Sequence, residues 1–184
     1  MILFLDYDGV LHPDEVYTRG NRPYLAVAGE LFMWAYVVED ALADLPDIRI
    51  VISSSWARFL GFERAKAALP PALGQRVIGA TWHTGMKVSD HGPPLRYPET
   101  VWDRMTRYQQ IARWAKRAGL SDWLAIDDND EGWPDTHRHH LVHTLSATGL
   151  GEETAAASLR AALASRYPRK DDDDAPASGL INGG

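Results

Sequence analysis

Five short, largely apolar runs punctuate the chain: Ile2 to Leu5 (ILFL), Ile48 to Ser53 (IRIVIS), Gln75 to Thr81 (QRVIGAT), Trp123 to Asp127 (WLAID) and His140 to Thr144 (HLVHT). Each is bounded by turn-forming or polar residues, the pattern of a strand covered on both faces. Between them the apolar positions recur at helical spacing, which predicts helices over Ala28 to Leu45, Ala57 to Leu69, Asp103 to Ala118 and Glu152 to Ala164. Strands alternating with helices predict an α/β fold, a doubly wound, mainly parallel five-stranded sheet. Two stretches stand apart. Trp82 to Val101 is rich in Gly and Pro, has no period, and is too long for a plain connector, so it is expected to be functional. Residues 167–184 carry the block Asp171 to Asp174 followed by small residues and are expected to be a disordered acidic tail, leaving 1–166 as one domain.

Composition narrows the chemistry. With 184 residues and 45% hydrophobic content, the chain has enough apolar surface for one full core. It has no cysteine, so any metal must bind through oxygen or imidazole, and a reducing, cytoplasmic setting is expected. No run approaches a membrane span and no signal peptide is apparent, so no membrane partner is expected. A net charge of -6 argues against an extended basic surface, though not against a local basic groove.

The polar residues at the strand ends are the candidates for chemistry. Asp6 and Asp8 follow the first strand, Ser53, Ser54 and Ser55 the second, and Asp127, Asp128 and Asp130 the fourth. In parallel sheets, ligands bind at these carboxyl ends. One such site is read most simply as a turn, where Asp is common; coincidence at two strand ends beside a hydroxyl cluster favours a site. Carboxylates converging there need a cation, and all-oxygen ligation favours Mg²⁺. The histidines His137, His139, His140 and His143 span a loop and an alternating strand, so few of their rings can converge on a metal.

These residues resemble the haloacid dehalogenase-like (HAD) phosphohydrolases. FLDYDGVL is similar to their first motif, VISSSW to their second and LAIDDND to their fourth, while Arg107 best fits the basic third motif, ahead of Arg104, Arg113 and Lys87. The order of VISSSW, VIGATW, RYQQIARW and AIDD resembles more closely the small-capped branch found alone and within multidomain Swiss Army Knife RNA-repair proteins. The resemblance implies a Rossmann-like core with a minimal cap, since residues 12–47 are too few for a cap domain.

It also implies roles. Asp6 is the expected nucleophile, forming an aspartyl-phosphate, and Asp8 the general acid and base. Gly9 permits the turn after them. Ser53 binds a phosphoryl oxygen with help from the backbone at Ser54 and Ser55, and Arg107 neutralises its charge. Mg²⁺ is expected on Asp6, the carbonyl of Asp8 and one of Asp128 and Asp127, with Asp128 favoured. Independently of the resemblance, Trp82 to Val101 leaves the carboxyl end of the third strand, so Trp82, His83, Lys87 and Arg96 are expected to border the opening and contact a phosphorylated substrate, a nucleotide or nucleic-acid end. The rival readings are a phosphotransferase or nuclease without a covalent step, and a non-catalytic binding module of the same fold.

Overall fold

The computed structural model describes residues 1–20, 22–83 and 100–167. Strands β1 (Ile2–Leu5), β4 (Arg49–Ile52), β5 (Val77–Ala80), β6 (Trp123–Asp127) and β7 (Leu141–His143) form one sheet in the order β5-β4-β1-β6-β7, and all neighbours are parallel. The five expected strands are therefore present, with β1 in the centre. Period-two alternation divides their side chains between two cores. Leu3, Leu5, Ile50, Ile52, Leu124 and Ile126 face helices α1 (Ala35–Ala41), α3 (Phe62–Ala68) and α6 (Glu153–Ala164). Ile2, Phe4, Val51, Trp123 and Ala125 face Ile111 and Ala115 of α5 (Arg107–Arg117). Trp133 closes this second cluster, near Trp123 and Tyr108.

The helices are shorter than their apolar periodicity predicts. The first begins at Ala35 rather than Ala28 because residues before it fold into turns tied to the first motif: Trp34 N–H donates to the Leu11 carbonyl at 2.9 Å and Phe32 N–H to His12 Nδ1 at 3.2 Å. Phe32 adopts φ +63° in that segment, a conformation that a bulky side chain rarely holds. The second predicted helix is split into α2 (Ser55–Phe59) and α3 by Gly61, at φ +90°. A further short helix, α4 (Pro71–Gly74), precedes β5.

A β-hairpin, too, has no counterpart among the predicted elements. Strands β2 (Val16–Arg19) and β3 (Arg22–Leu25) pair antiparallel as a separate hairpin. A Gly-Asn turn between short alternating runs is its sequence signal, but Pro23 weakens the second run as a strand. This hairpin and the turns after it precede α1 in the insert between β1 and β4. Lys87 and Arg96 and the tail from residue 168 lie outside the described residues. Tyr167, the last one described, packs at the edge of the first core cluster. No helix among the described residues is long and apolar enough to cross a membrane.

Candidate active site

Strand order reverses at β1, whose neighbours β4 and β6 come from opposite halves of the chain, so the carboxyl ends of β1 and β6 meet at the switch point of the sheet. Asp6 follows β1 directly and Asp127 ends β6. Asp6, Asp127 and Asp128 each offer a carboxylate oxygen within 4.8 Å of the others. Asp6 is 3% exposed and Asp127 fully buried. A cavity of about 520 Å³ opens over them, lined by Asp6, Asp8, Asp14, Ser55, Arg107 and Asp128 among others.

Among the described residues, Arg107 is the cation paired with these acids. It is the first residue of α5, behind a capping box in which Thr106 and Gln109 exchange hydrogen bonds, and Gln110 Oε1 accepts from its Nη1 at 3.3 Å. The guanidinium lies between two carboxylates, with Nη2 donating to Asp6 Oδ2 and Nε paired with Asp127 Oδ2, both at 2.9 Å. Arg113 instead lines a cavity on another flank, and Arg104 is exposed.

Burial pushes Asp6 up to about 7, against the pull of Arg107 and with reinforcement from Asp8 and Asp128. Asp127 is raised well above the usual carboxylate range, again chiefly by burial. Such a set of acids holds full negative charge only with further cationic help. All-oxygen donors of this spacing suit a hard divalent ion. Gly9 fits the same reading. It sits at φ +69°, and a Cβ there would collide with the Asp128 carboxylate, so the turn presses backbone against that side chain. Both oxygens of Asp127 are engaged, Oδ1 by Asn129 N–H at 3.0 Å and Oδ2 by Arg107, whereas Asp128 is half-buried and lines the cavity.

At the end of β4, Ser53 and Ser54 sit in different surroundings. Ser54 caps α2, its Oγ accepting from Trp56 N–H at 3.4 Å. Ser53 is fully buried, and its Oγ has no hydrogen-bond partner among the described residues, an expense that a bound oxygen would offset.

Asp8 is held by two residues whose part was not read from the sequence. Its Oδ1 accepts from Trp56 Nε1 at 2.8 Å and from His12 Nε2 at 3.1 Å. Because Phe32 N–H donates to His12 Nδ1, that nitrogen accepts and the ring proton sits on Nε2, directed at Asp8. His12 is fully buried and packed edge-on against Phe32, near the Trp56 ring. Trp56 reads in the sequence as core, and it is 5% exposed; only its indole N–H reveals the second role. His12 had no sequence signal beyond its place four residues after Asp8.

The expected substrate loop is described only in part. Trp82 is buried, and with His83 it lines a cavity of about 550 Å³ beside Phe62, Met105 and Trp114, apart from the acids. Within the histidine run the His140 ring stacks on Trp123 with centroids 4.2 Å apart and lies 4.1 Å from that of His139 and 5.7 Å from that of His137, which bonds Tyr108, while His143 Nε2 meets the Asp128 carbonyl at 3.0 Å.

Comparison with protein families finds a match over residues 2–155 to the family described as "HAD domain in Swiss Army Knife RNA repair proteins". No curated protein and no solved structure matches the chain.

Proposed function

Since the chain belongs to the family of HAD domains in Swiss Army Knife RNA repair proteins, with HAD-type phosphohydrolase chemistry as its premise, we propose that it hydrolyses phosphomonoesters through an aspartyl-phosphate. The observation that carries this reading is Arg107 lodged between Asp6 and Asp127 at the switch point, beside an unpartnered Ser53 hydroxyl. The nucleotide or nucleic-acid terminal phosphate is the substrate favoured by the family's description and by a site over which the described residues place no cap domain.

In the first step an Asp6 oxygen attacks phosphorus, and the bond from phosphorus to the leaving oxygen breaks. Arg107 favours the ionised form of Asp6 and faces the negative charge of the phosphoryl group. Ser53 Oγ donates to a phosphoryl oxygen. Asp8, with Oδ1 anchored by Trp56 and His12, uses Oδ2 to give its proton to the leaving oxygen. In the second step the same oxygen takes a proton from water as that water attacks the aspartyl-phosphate, which releases inorganic phosphate and restores Asp6.

Mg²⁺ would be held by Asp6, the Asp8 carbonyl and Asp128, with Asp127 behind them fixing Arg107, and when bound it neutralises charge on the phosphoryl oxygens. The test is hydrolysis of p-nitrophenyl phosphate with Mg²⁺ and with EDTA. Turnover that requires the metal is expected. Absence of turnover on this ester and on a panel of phosphorylated nucleosides and oligonucleotides would support the binding-module reading instead.

A further inference from the structure

The hairpin β2–β3 has two unlike faces. Along its strands Val16, Thr18, Pro23 and Leu25 alternate with Tyr17, Arg19, Arg22 and Tyr24, and the register sets Tyr17 opposite Tyr24 and Arg19 opposite Arg22. Val16, Pro23 and Leu25 are half-buried, whereas all four of the second set are exposed, Tyr17 by 57% and Tyr24 by 44%. The two tyrosine rings lie 6.3 Å apart with planes tilted by 34°, and the Arg19 guanidinium is 5.9 Å from the Tyr24 centroid.

Like charges directly opposite each other weaken a strand pair, and exposed rings gain nothing from water. Two guanidiniums and two rings on one open ribbon nevertheless form the combination that binds a flexible polyanion with planar groups, rings for the bases and cations for the phosphates. The setting sharpens the point, because this basic, aromatic face belongs to a chain of net charge -6. An acidic peptide would satisfy the arginines and leave the rings without a role.

The ribbon is also joined to the acidic cavity. Between the hairpin and α2 lies a cleft of about 410 Å³, lined by Tyr17, Thr18, Pro23, Trp56 and Phe59 and also by Asp8. Asp8 and Ser55 line both this cleft and the acidic cavity. A phosphoryl group seated over Asp6 therefore has its leaving oxygen near the wall that the two spaces share, and the cleft is the room available for what that oxygen carries.

We propose that the hairpin is a platform for single-stranded nucleic acid: the terminal nucleoside enters the cleft, the adjoining bases lie against Tyr17 and Tyr24, and their phosphates meet Arg19 and Arg22. The link to hydrolysis rests on the phosphatase reading given above; the binding does not.

The experiment is fluorescence anisotropy of the full chain with a labelled single-stranded RNA of about ten nucleotides, without a terminal phosphate. It is repeated on two paired variants, Tyr17→Ala with Tyr24→Ala and Arg19→Ala with Arg22→Ala. The wild type is expected to bind, more weakly as salt rises. Each pair should weaken binding about tenfold or more, the arginine pair also flattening the salt dependence, with Tm and p-nitrophenyl phosphate turnover retained. If an alanine pair lowers Tm, Tyr→Leu and Arg→Gln at the same positions make the comparison in a folded protein. RNA that fails to bind the wild type, binds all variants alike, or binds no better than a duplex of the same length overturns the proposal. So does an acidic phosphopeptide that binds through these residues where RNA does not. RNA binding that follows the variants in a protein that hydrolyses no phosphoester sustains the platform and removes the phosphatase reading.

Discussion

Asp6 is a carboxylate that burial works against, and this has a consequence for stability. Its ordinary value of 3.8 is pushed to about 7 in the fold, chiefly by burial. Below the lower value the group is protonated whether the chain is folded or not, and it has no effect. Between the two values the native state holds the extra proton, so stability falls as pH rises, and above about 7 the loss is complete. Asp6→Asn removes this dependence. In EDTA, the Tm of the variant minus that of the wild type should therefore grow from pH 4 toward pH 7, by several degrees, and Mg²⁺ should narrow the gap by stabilising the wild type. A difference that stays flat across this range would contradict the burial argument. At this scale the sequence reveals what a strand end reveals. Asp6, Asp8, Gly9, Ser53, Asp127 and Asp128 are legible because a buried run stops beside each. Arg107 is picked out by its likeness to the third motif, but its contact with Asp6 spans 101 residues and the Trp56 bond to Asp8 spans 48; no local pattern marks either contact.

Among the elements, the five strands follow from the apolar runs alone, since a central parallel strand needs little more than a short stretch buried on both faces. Helix limits were less legible, because tertiary bonds decide them: Phe32 and Trp34 are drawn into turns by His12 and Leu11, and periodicity carries no trace of that. The hairpin is hard to read for a different reason, since Pro23 weakens its second run as a strand. Helix α5 shows how an element places chemistry. Thr106 caps it and also packs against Gly132 in the loop after β6, where a Cβ would lie 2.8 Å from Thr106 Oγ1. Arg107 is the next residue, so Thr106→Ala should cost about 1 kcal/mol of stability. It should also lower kcat severalfold with little change in KM, because the guanidinium loses its fixed start. A lower Tm with wild-type kcat would show that Arg107 is positioned independently of the cap.

For the molecule as a whole, the two apolar clusters sandwich one sheet, and the strand order gathers acids from distant parts of the chain at one edge. The fold supplies negative charge there in excess, with Arg107 as a counterweight, and in the proposed reaction this concentration of charge serves a covalent step. The direct measurement is to mix the protein with Mg²⁺ and a phosphoester, quench in acid, and follow the phosphoryl group by intact mass and peptide mapping. One phosphoryl group is expected on Asp6, stable in acid, released by hydroxylamine and absent from Asp6→Asn. Steady turnover by the wild type with no phosphoryl group trapped on Asp6, together with Asp6→Asn retaining more than about a hundredth of its rate, would contradict the covalent step.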